Sequence, residues 1–110
     1  MTLKNKIFDQ IRLLCKKDKS EEICGFIIKN NDNYEFINAV NKHPDKQNYF
    51  LICPKEYLNI KNNFEIIYLF HSHPNGGSFS ETDMLYQKYH NLNMLIYNVK
   101  DDCFEEMMCK

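Results

Sequence analysis

The sequence predicts an α/β fold in which a mixed β-sheet is sandwiched by helices. Three observations support this class. Short apolar runs rich in β-branched and aromatic residues recur along the chain, as in "FEIIYLF" and "NMLIYNV", and such runs are typical of strands. Between them lie segments with the periodicity of helices. The chain has 110 residues and is 44% hydrophobic, so we expect residues 1–110 to form a single layered domain.

The first part of the chain predicts a helix followed by a β-hairpin. Apolar residues recur at helical spacing over residues 3–15, which indicates an amphipathic helix packed against a larger surface. Residues 23–28 and 34–40 predict two strands. The polar segment 30–33 between them is a turn by composition, so we expect the two strands to pair. The apolar residues of the helix are Leu3, Ile7, Ile11, Leu14 and Cys15.

The middle of the chain predicts a loop, a short strand and a second helix. The loop covers residues 41–47, and "NYFLI", residues 48–52, predicts a short third strand. Pro54 suits the first turn of a helix, where its missing N–H costs nothing, and we expect this helix to extend to about Asn63. Its apolar residues are Tyr57, Leu58 and Ile60.

The last part predicts the most apolar strand, a third helix and two further strands. Residues 64–70 are apolar almost throughout, which predicts a strand buried on both faces. After an irregular loop over residues 73–79, Ser80 is expected to begin a helix. Residues 93–99 and 103–108 predict the final strands. The apolar residues of the third helix are Met84, Leu85, Tyr89 and Leu92.

Composition excludes several classes of function. Fourteen basic and fifteen acidic residues give a net charge of −1, and there is no basic stripe, so nucleic acid is not an expected partner. No apolar run approaches the ~18 residues that span a bilayer, and the N-terminus does not resemble a signal peptide. The five cysteines are odd in number and contain no C-x-x-C pair. This pattern favours reduced thiols in the cytoplasm.

Two histidines lie one residue apart at the end of the apolar run 64–70. Residues i and i+2 of a strand share a face, so we expect the imidazoles of His71 and His73 to project together, about 7 Å apart along the chain. Ser72 then points into the packed side. Two imidazoles suit zinc, and a catalytic site requires in addition an oxygen ligand and a water. Asp83 is the candidate for this ligand, because the glycine-containing loop can fold it back.

The segment Ser80-Glu81-Thr82-Asp83 has a second interpretation. It matches a capping box, with Ser80 as the N-cap and Asp83 at the third helical position. A carboxylate in the first turn is also favoured by the helix dipole without any metal. Taken alone, Asp83 is therefore open to both interpretations. The combination of H-x-H, a glycine loop and S-x-x-D favours the metal site.

The same segment resembles a known motif. "HSHPNGGSFSETD", residues 71–83, resembles the JAMM pattern of the JAB/MPN metalloproteases, H-[ST]-H-P…S-x-x-D. "EEICGF", residues 21–26, is similar to the stretch that carries the family's catalytic glutamate. "NYFLICPKEY", residues 48–57, is similar to a segment of the bacterial and phage-type members. In this sequence six residues separate His73 from Ser80, one fewer than the family's usual spacing.

The resemblance implies a fold and a set of metal ligands. The fold is the JAB/MPN fold, which is cytidine-deaminase-like. His71, His73 and Asp83 would be the ligands of one Zn²⁺ per chain, with water in the fourth position. Zinc lowers the pKa of such a water toward ~7, which suits the hydrolysis of an amide bond.

The resemblance also implies two catalytic residues. Glu22 would take the proton from the water and hand it to the leaving amine, with Glu21 as the alternative base. Ser80 would hydrogen-bond the carbonyl oxygen as negative charge develops. The resulting function is that of a zinc metallopeptidase or isopeptidase.

Substrates and partners follow from the resemblance in outline. Such domains cleave ubiquitin-like or sulfur-carrier tails, or act on cell-wall peptides, so we expect a peptide or protein substrate. We expect a cytoplasmic location, or alternatively association with a phage virion or tail. The alternative function is a non-catalytic MPN-type scaffold or phage-tail assembly domain that binds partner proteins. An exposed sheet edge would support a homodimer, and no membrane partner is expected.

Two further kinds of site stay open from the sequence. A structural zinc site would need a fourth protein ligand, for which Cys24 and Cys53 are candidates. A cysteine hydrolase would pair Cys24 with a histidine, although a buried thiol is the simpler interpretation. His43 is interpreted as a loop residue, and His90 as a cation at a helix end.

Overall fold

The computed structural model of the protein describes residues 2–18 and 20–109, and side chains from residue 5 onward within these ranges. The predicted apolar position Leu3 therefore lies outside the described side chains. None of the helices in these ranges is long and apolar enough to cross a membrane. The elements are α1 Thr2–Lys17, β1 Cys24–Asn30, β2 Asn33–Ala39, α2 Pro54–Asn63, β3 Glu65–His73, α3 Glu81–His90, β4 Met94–Asn98 and β5 Cys103–Met107.

The strands form one five-stranded mixed sheet in the order β2-β1-β3-β4-β5. Strand β1 pairs antiparallel with both β2 and β3, and β5 pairs antiparallel with β4. Strands β3 and β4 are parallel, so the chain must cross over between them. The loop after β3 and helix α3 make this crossover. The predicted mixed sheet and the predicted hairpin are therefore confirmed.

Apolar cores lie on both faces of the sheet. On one face, α1 contributes Ile7, Ile11 and Cys15, which pack with Phe70 and Leu95 of the central strands. The other face carries a second core to which α2 contributes Ile60. Residues of the loop before α2 and of α3 complete this second core, including Ile52 and Tyr86. The sheet is thus sandwiched by helices, as the sequence predicts.

The predicted strand over residues 48–52 was wrong. This segment follows a turn and runs without strand structure into α2. The side chain of Asn41 hydrogen-bonds the backbone of this segment. Its Nδ2 donates to the Tyr49 oxygen at 3.0 Å, and its Oδ1 accepts from the Leu51 nitrogen at 3.1 Å. One backbone hydrogen bond, from Lys42 N to the Leu51 oxygen, adds to these contacts. The Asn41 side chain thus supplies hydrogen bonds that a neighbouring strand would supply to a strand at this place.

Two features of burial differ from the sequence pattern. Strand β3 is fully buried only toward its end, from Leu69 to Ser72, while its first half is exposed or half-buried. In α3 the apolar side chains Met84, Leu85 and Tyr89 are 53%, 68% and 85% exposed. The helix instead turns Asp83 inward, where it is buried. The inward side of α3 thus carries a buried polar residue beside Tyr86 of the second core, which an apolar pattern does not predict.

Gly25 is a position in β1 where only glycine fits. A Cβ at this position would lie 2.1 Å from the backbone oxygen of Ile37 in β2, and backbone cannot move aside as a flexible side chain can. We expect Gly25→Ala to lower the free energy of unfolding by about 3 kcal/mol, measured by urea denaturation. Asn38→Ala is the control, because Asn38 pairs with Gly25 but is exposed. A loss below about 1 kcal/mol for Gly25→Ala would contradict this steric explanation.

Candidate metal centre

The structure brings His71, His73 and Asp83 together. Both histidines lie at the end of β3 and project from the same face, with 3.1 Å between their Nε2 atoms. Asp83, in the first turn of α3, places Oδ1 2.9 Å from His71 Nε2 and Oδ2 3.2 Å from His73 Nε2. One ligand atom from each residue lies within 4.8 Å of the others. The predicted grouping of these three residues is therefore present.

The short loop between His73 and Ser80 reaches α3 through two glycines. Gly76 and Gly77 have φ of +85° and +96°, a region that residues with a side chain rarely adopt. These angles turn the chain back over the end of β3. This loop has one residue fewer than is usual in the family, and Asp83 nevertheless lies beside the two histidines.

Both interpretations of Asp83 hold at once. The Ser80 Oγ accepts a hydrogen bond from the Asp83 nitrogen at 3.1 Å, and the Ser80 nitrogen donates to Asp83 Oδ2 at 2.9 Å. This is a complete capping box. Asp83 Oδ1 takes no part in the cap and faces His71. The cap therefore orients the carboxylate for the histidines.

The two imidazoles are held in different ways. His73 places Nδ1 3.2 Å from the carbonyl oxygen of Gly77, and a donated Nδ1–H leaves the Nε2 lone pair for a metal. His71 Nδ1 is buried and has no hydrogen-bond partner within the described residues. Its ring is stacked against Phe50, with 4.5 Å between ring centroids and 24° between the planes. Packing therefore orients His71, whereas a hydrogen bond orients His73.

The donor set fits a small divalent cation such as zinc. Ligands at the Zn–N distance of about 2.0–2.1 Å in a tetrahedron are ~3.3 Å apart. The 3.1 Å between the two Nε2 atoms is close to this value. So are the 2.9 Å from His71 to Asp83 Oδ1 and the 3.2 Å from His73 to Asp83 Oδ2, which involve different oxygens of the carboxylate. Three protein ligands leave a fourth position open, which is typical of catalytic rather than structural zinc.

The pKa shifts of the three side chains differ in direction and cause. Burial lowers the pKa of His71 and so keeps its ring neutral, the form that binds metals. Burial opposes the charged form of His73 as well, but hydrogen bonds to Asp83 and Gly77 outweigh it and raise its pKa. For Asp83, burial favours protonation, yet the bonds from both histidines hold its pKa far below its ordinary value. The carboxylate is therefore ionised.

Glu22 shares a cleft with His73 and Asp83. The cleft has a volume of about 560 Å³, and its lining includes Glu22, His73, Ser80 and Asp83. Glu22 is 6% exposed. Burial raises the pKa of Glu22 to about 8, with Asp83 adding to the rise and His73 opposing it. Glu21, the alternative base, is not among the described residues that line the cleft.

The backbone of Glu22 is held in place from two directions. The Glu22 nitrogen donates to the Lys46 oxygen at 2.7 Å, and Asn41 Nδ2 donates to the Glu22 oxygen at 3.0 Å. On the next residue, the Ile23 nitrogen donates to Ser72 Oγ at 2.8 Å, and the Ser72 nitrogen donates to the Ile23 oxygen at 2.8 Å. Ser72 is fully buried on the side away from the cleft, as predicted. It joins the segment that carries Glu22 to the strand that carries both histidines.

The sequence did not predict that Ser72 links these two segments, and this role can be tested. Ser72→Ala removes the acceptor for the Ile23 N–H, and an unsatisfied buried donor costs about 1–3 kcal/mol. We expect a loss of this size in the free energy of unfolding, measured by chemical denaturation. Ser20→Ala serves as the control, since Ser20 is exposed and, within the part of the chain that the structure describes, its hydroxyl bonds the nearby Asp18. Equal stability of the Ser72→Ala and Ser20→Ala proteins would show that the link contributes nothing.

The cysteine alternatives receive no support. Cys24 lies opposite His71 in the register of β1 and β3, but burial raises the pKa of its thiol to about 12, so it is a poor nucleophile. Neither Cys24 nor Cys53 belongs to the group of metal-binding side chains found among the described residues. His43 accepts a bond from Asp45 N in its loop, and His90 packs against Tyr86.

The fold and the site together define a class of protein. It is an α/β domain whose mixed sheet carries a His-x-His pair at the end of a central strand, completed by an aspartate from the following helix. This chain belongs to the family described as prokaryotic homologs of the JAB domain, which it matches over residues 4–110. The JAB/MPN resemblance seen in the sequence is therefore confirmed.

Comparison with solved structures agrees with this fold. The chain is similar to the solution structure of protein DSY2949 from Desulfitobacterium hafniense, with a TM-score of 0.66 and 18% sequence identity. The match covers 94% of this chain and 86% of that chain. At this identity the similarity concerns the fold alone. No curated protein matches the sequence.

Proposed function

We propose that the protein is a zinc-dependent metallopeptidase or isopeptidase. The observation that carries this proposal is the convergence of His71, His73 and Asp83, of which His73 and Asp83 line one cleft together with Glu22. His71, His73 and Asp83 would hold the metal. When bound, zinc supplies a water that is acidic near neutral pH and polarises a carbonyl group.

Glu22 is the proposed general base and acid. Its side chain is nearly buried and lines the same cleft as His73 and Asp83. We infer that it accepts a proton as water attacks the scissile carbonyl and returns this proton to the leaving amine. The backbone hydrogen bonds of Glu22, donated by its nitrogen to the Lys46 oxygen and accepted by its oxygen from Asn41 Nδ2, support the role, because a general base must be held in a defined place.

Ser80 is the proposed donor to the carbonyl oxygen of the substrate. Its Oγ accepts the capping bond from the Asp83 nitrogen, and a hydroxyl that accepts one bond can still donate its own proton. Ser80 lines the cleft. A donor placed there would stabilise negative charge that develops on the carbonyl oxygen.

The cleft suits a peptide or protein substrate. Its lining combines the aromatic side chains of Tyr49, Phe50 and Tyr86 with the amides of Gln47 and Asn48, a mixture that can both pack on and hydrogen-bond a peptide. We therefore propose a peptide or isopeptide bond as the target, in a ubiquitin-like or sulfur-carrier tail or in a cell-wall peptide. The cytoplasmic or phage-associated location and the homodimer remain predictions.

One observation favours a second function. The outer face of α3 exposes Met84, Leu85 and Tyr89, and exposed apolar side chains of this size are typical of surfaces that bind proteins. A non-catalytic scaffold or phage-tail assembly domain would use such a face. The acidic and imidazole side chains gathered in the cleft favour catalysis over this alternative.

The test is metal analysis paired with a cleavage screen. Protein purified without chelator is expected to contain about one zinc per chain, and a peptide library that includes cell-wall peptides and ubiquitin-like C-terminal amides is expected to be cleaved. Chelation should stop cleavage, and added zinc should restore it. The absence of metal from the purified protein would overturn the proposal that it is a metallopeptidase. Bound zinc without cleavage of any peptide would favour the scaffold.

A further inference from the structure

We propose that Asn98 is a positioning residue that orients the His73 ring by holding the carbonyl of Gly77. This role matters for metal binding only if the proposed function is right. The hydrogen bonds from which it is inferred lie within the protein chain itself. Asn98 lies in the predicted strand 93–99, and the sequence assigns it no role in the site.

Asn98 is placed directly beside His73. It is the last residue of β4 and is the register partner of His73 in the parallel pair of β3 and β4. The Val99 nitrogen donates to the His73 oxygen at 3.2 Å, which fixes the two strand ends against each other. Asn98 is 5% exposed. A buried amide at this place needs partners.

Two hydrogen bonds to Asp101 fix the orientation of this amide. Asn98 Oδ1 accepts from the Asp101 nitrogen at 3.2 Å, and Nδ2 donates to Asp101 Oδ2 at 3.1 Å. Since the backbone N–H can only donate, the oxygen of the amide must face Asp101 N. The nitrogen then also faces the loop after β3, and it donates to the Gly77 oxygen at 3.4 Å.

The Gly77 carbonyl connects Asn98 to His73. The same oxygen that Asn98 Nδ2 approaches lies 3.2 Å from His73 Nδ1. A Cβ on Gly76 would meet Asn98 Oδ1 at 3.3 Å, so the loop rests closely on the Asn98 side chain. Another side-chain hydrogen bond of this loop, from Ser78 Oγ to Glu105, is exposed. Asn98 is therefore the buried support of the carbonyl.

His73 depends on this support more than His71 does. The His71 ring is fully buried and stacked on Phe50, so packing restricts its rotation. The His73 side chain is partly exposed, and its Nδ1 has the Gly77 oxygen as its partner. Groups that orient a ligating imidazole typically change metal affinity by about 10–100-fold when they are removed.

The experiment compares Asn98→Ala and Asn98→Asp with Asn93→Ala. Asn98→Asp keeps the acceptor for the Asp101 nitrogen but loses the Nδ2 donor to Gly77 and to Asp101 Oδ2. Asn93 is the matched control at the other end of β4, where its Oδ1 accepts from the Cys109 nitrogen at 2.8 Å. Two readouts are measured on folded protein: the zinc dissociation constant by chelator competition, and the His73 ring resonances of the metal-free protein by NMR.

Both Asn98 variants are expected to weaken zinc binding by about tenfold or more and to broaden or shift the His73 ring resonances. Asn93→Ala is expected to leave both readouts unchanged, whatever its effect on melting temperature. Unchanged His73 resonances in the Asn98 variants, or equal changes in Asn93→Ala, would overturn the inference. If the wild-type protein bound no zinc, the proposed function would fail, and the ring resonances alone would decide the role of Asn98.

Discussion

Glu22→Gln is expected to abolish peptide hydrolysis while the protein keeps its metal. Glutamine has the shape of glutamate but cannot accept and return a proton, and general acid–base catalysis contributes about 10²–10⁴-fold to rate. We therefore expect the catalytic constant to fall by at least about 10²-fold. The zinc content should stay at about one per chain, because Glu22 is not a member of the group that could bind the metal. Peptide cleavage and elemental analysis on the same preparation measure both.

Loss of fold is not expected to explain the effect of Glu22→Gln. Burial raises the pKa of Glu22 to about 8 from an ordinary value of 4.5. Between these values the metal-free folded protein binds more protons than the unfolded chain, so its stability falls as pH rises through this window. Glutamine removes that dependence. Urea denaturation of metal-free protein at several pH values should show a flatter profile for the variant, with equal or greater stability at pH 8.

Glu21→Gln is the matched control for this prediction. Glu21 is the adjacent glutamate, and it does not line the cleft among the residues described. Its variant should retain wild-type cleavage. Full activity in Glu22→Gln together with lost activity in Glu21→Gln would reassign the base to Glu21.

The second large effect is the loss of metal on removal of a ligand. His71→Ala and Asp83→Ala each leave two donors of the three, and we expect the zinc content to fall from about one per chain to less than about a tenth. His90→Ala is the control, because His90 packs against Tyr86 and Tyr57 outside the group. Wild-type zinc content in either ligand variant would refute the assignment.

Asp83→Asn separates the two roles of Asp83. An asparagine can still accept the bond from the Ser80 nitrogen, so the helix cap is partly kept, whereas the negative charge that favours the metal is lost. We expect zinc to be lost while the free energy of unfolding of the metal-free protein stays within about 1 kcal/mol of the wild type. Asp83→Ala should also lose the bond from the Ser80 nitrogen to the carboxylate, at a further cost of about 1 kcal/mol, although Ser80 Oγ can still accept from the backbone nitrogen of residue 83. Equal stabilities of the two metal-free variants would show that the side-chain half of the capping box contributes nothing.

The elements with strong local patterns were predicted well. Helix α2 has the predicted bounds, from Pro54 to Asn63, and the hairpin and last strands lie within a few residues of their predicted positions. The segment 48–52 was predicted wrongly, because the Asn41 side chain, rather than a neighbouring strand, hydrogen-bonds its backbone. The exposure of Met84, Leu85 and Tyr89 was also unforeseen, since α3 turns Asp83 and Tyr86 inward instead.

The sequence by itself determined the candidate ligands, because the placement of His71 and His73 on one face depends only on the period of a strand, and Ser80 and Asp83 follow at capping-box spacing. Only the tertiary structure decided what surrounds them. The hydrogen bond between Ile23 and Ser72, 49 residues apart, positions the segment that carries Glu22 beside the cleft. Asn98, on a different strand from the histidines, hydrogen-bonds Gly77. Contacts between distant segments leave no periodic signal in the sequence, since they arise from how the strands order and pair in the sheet.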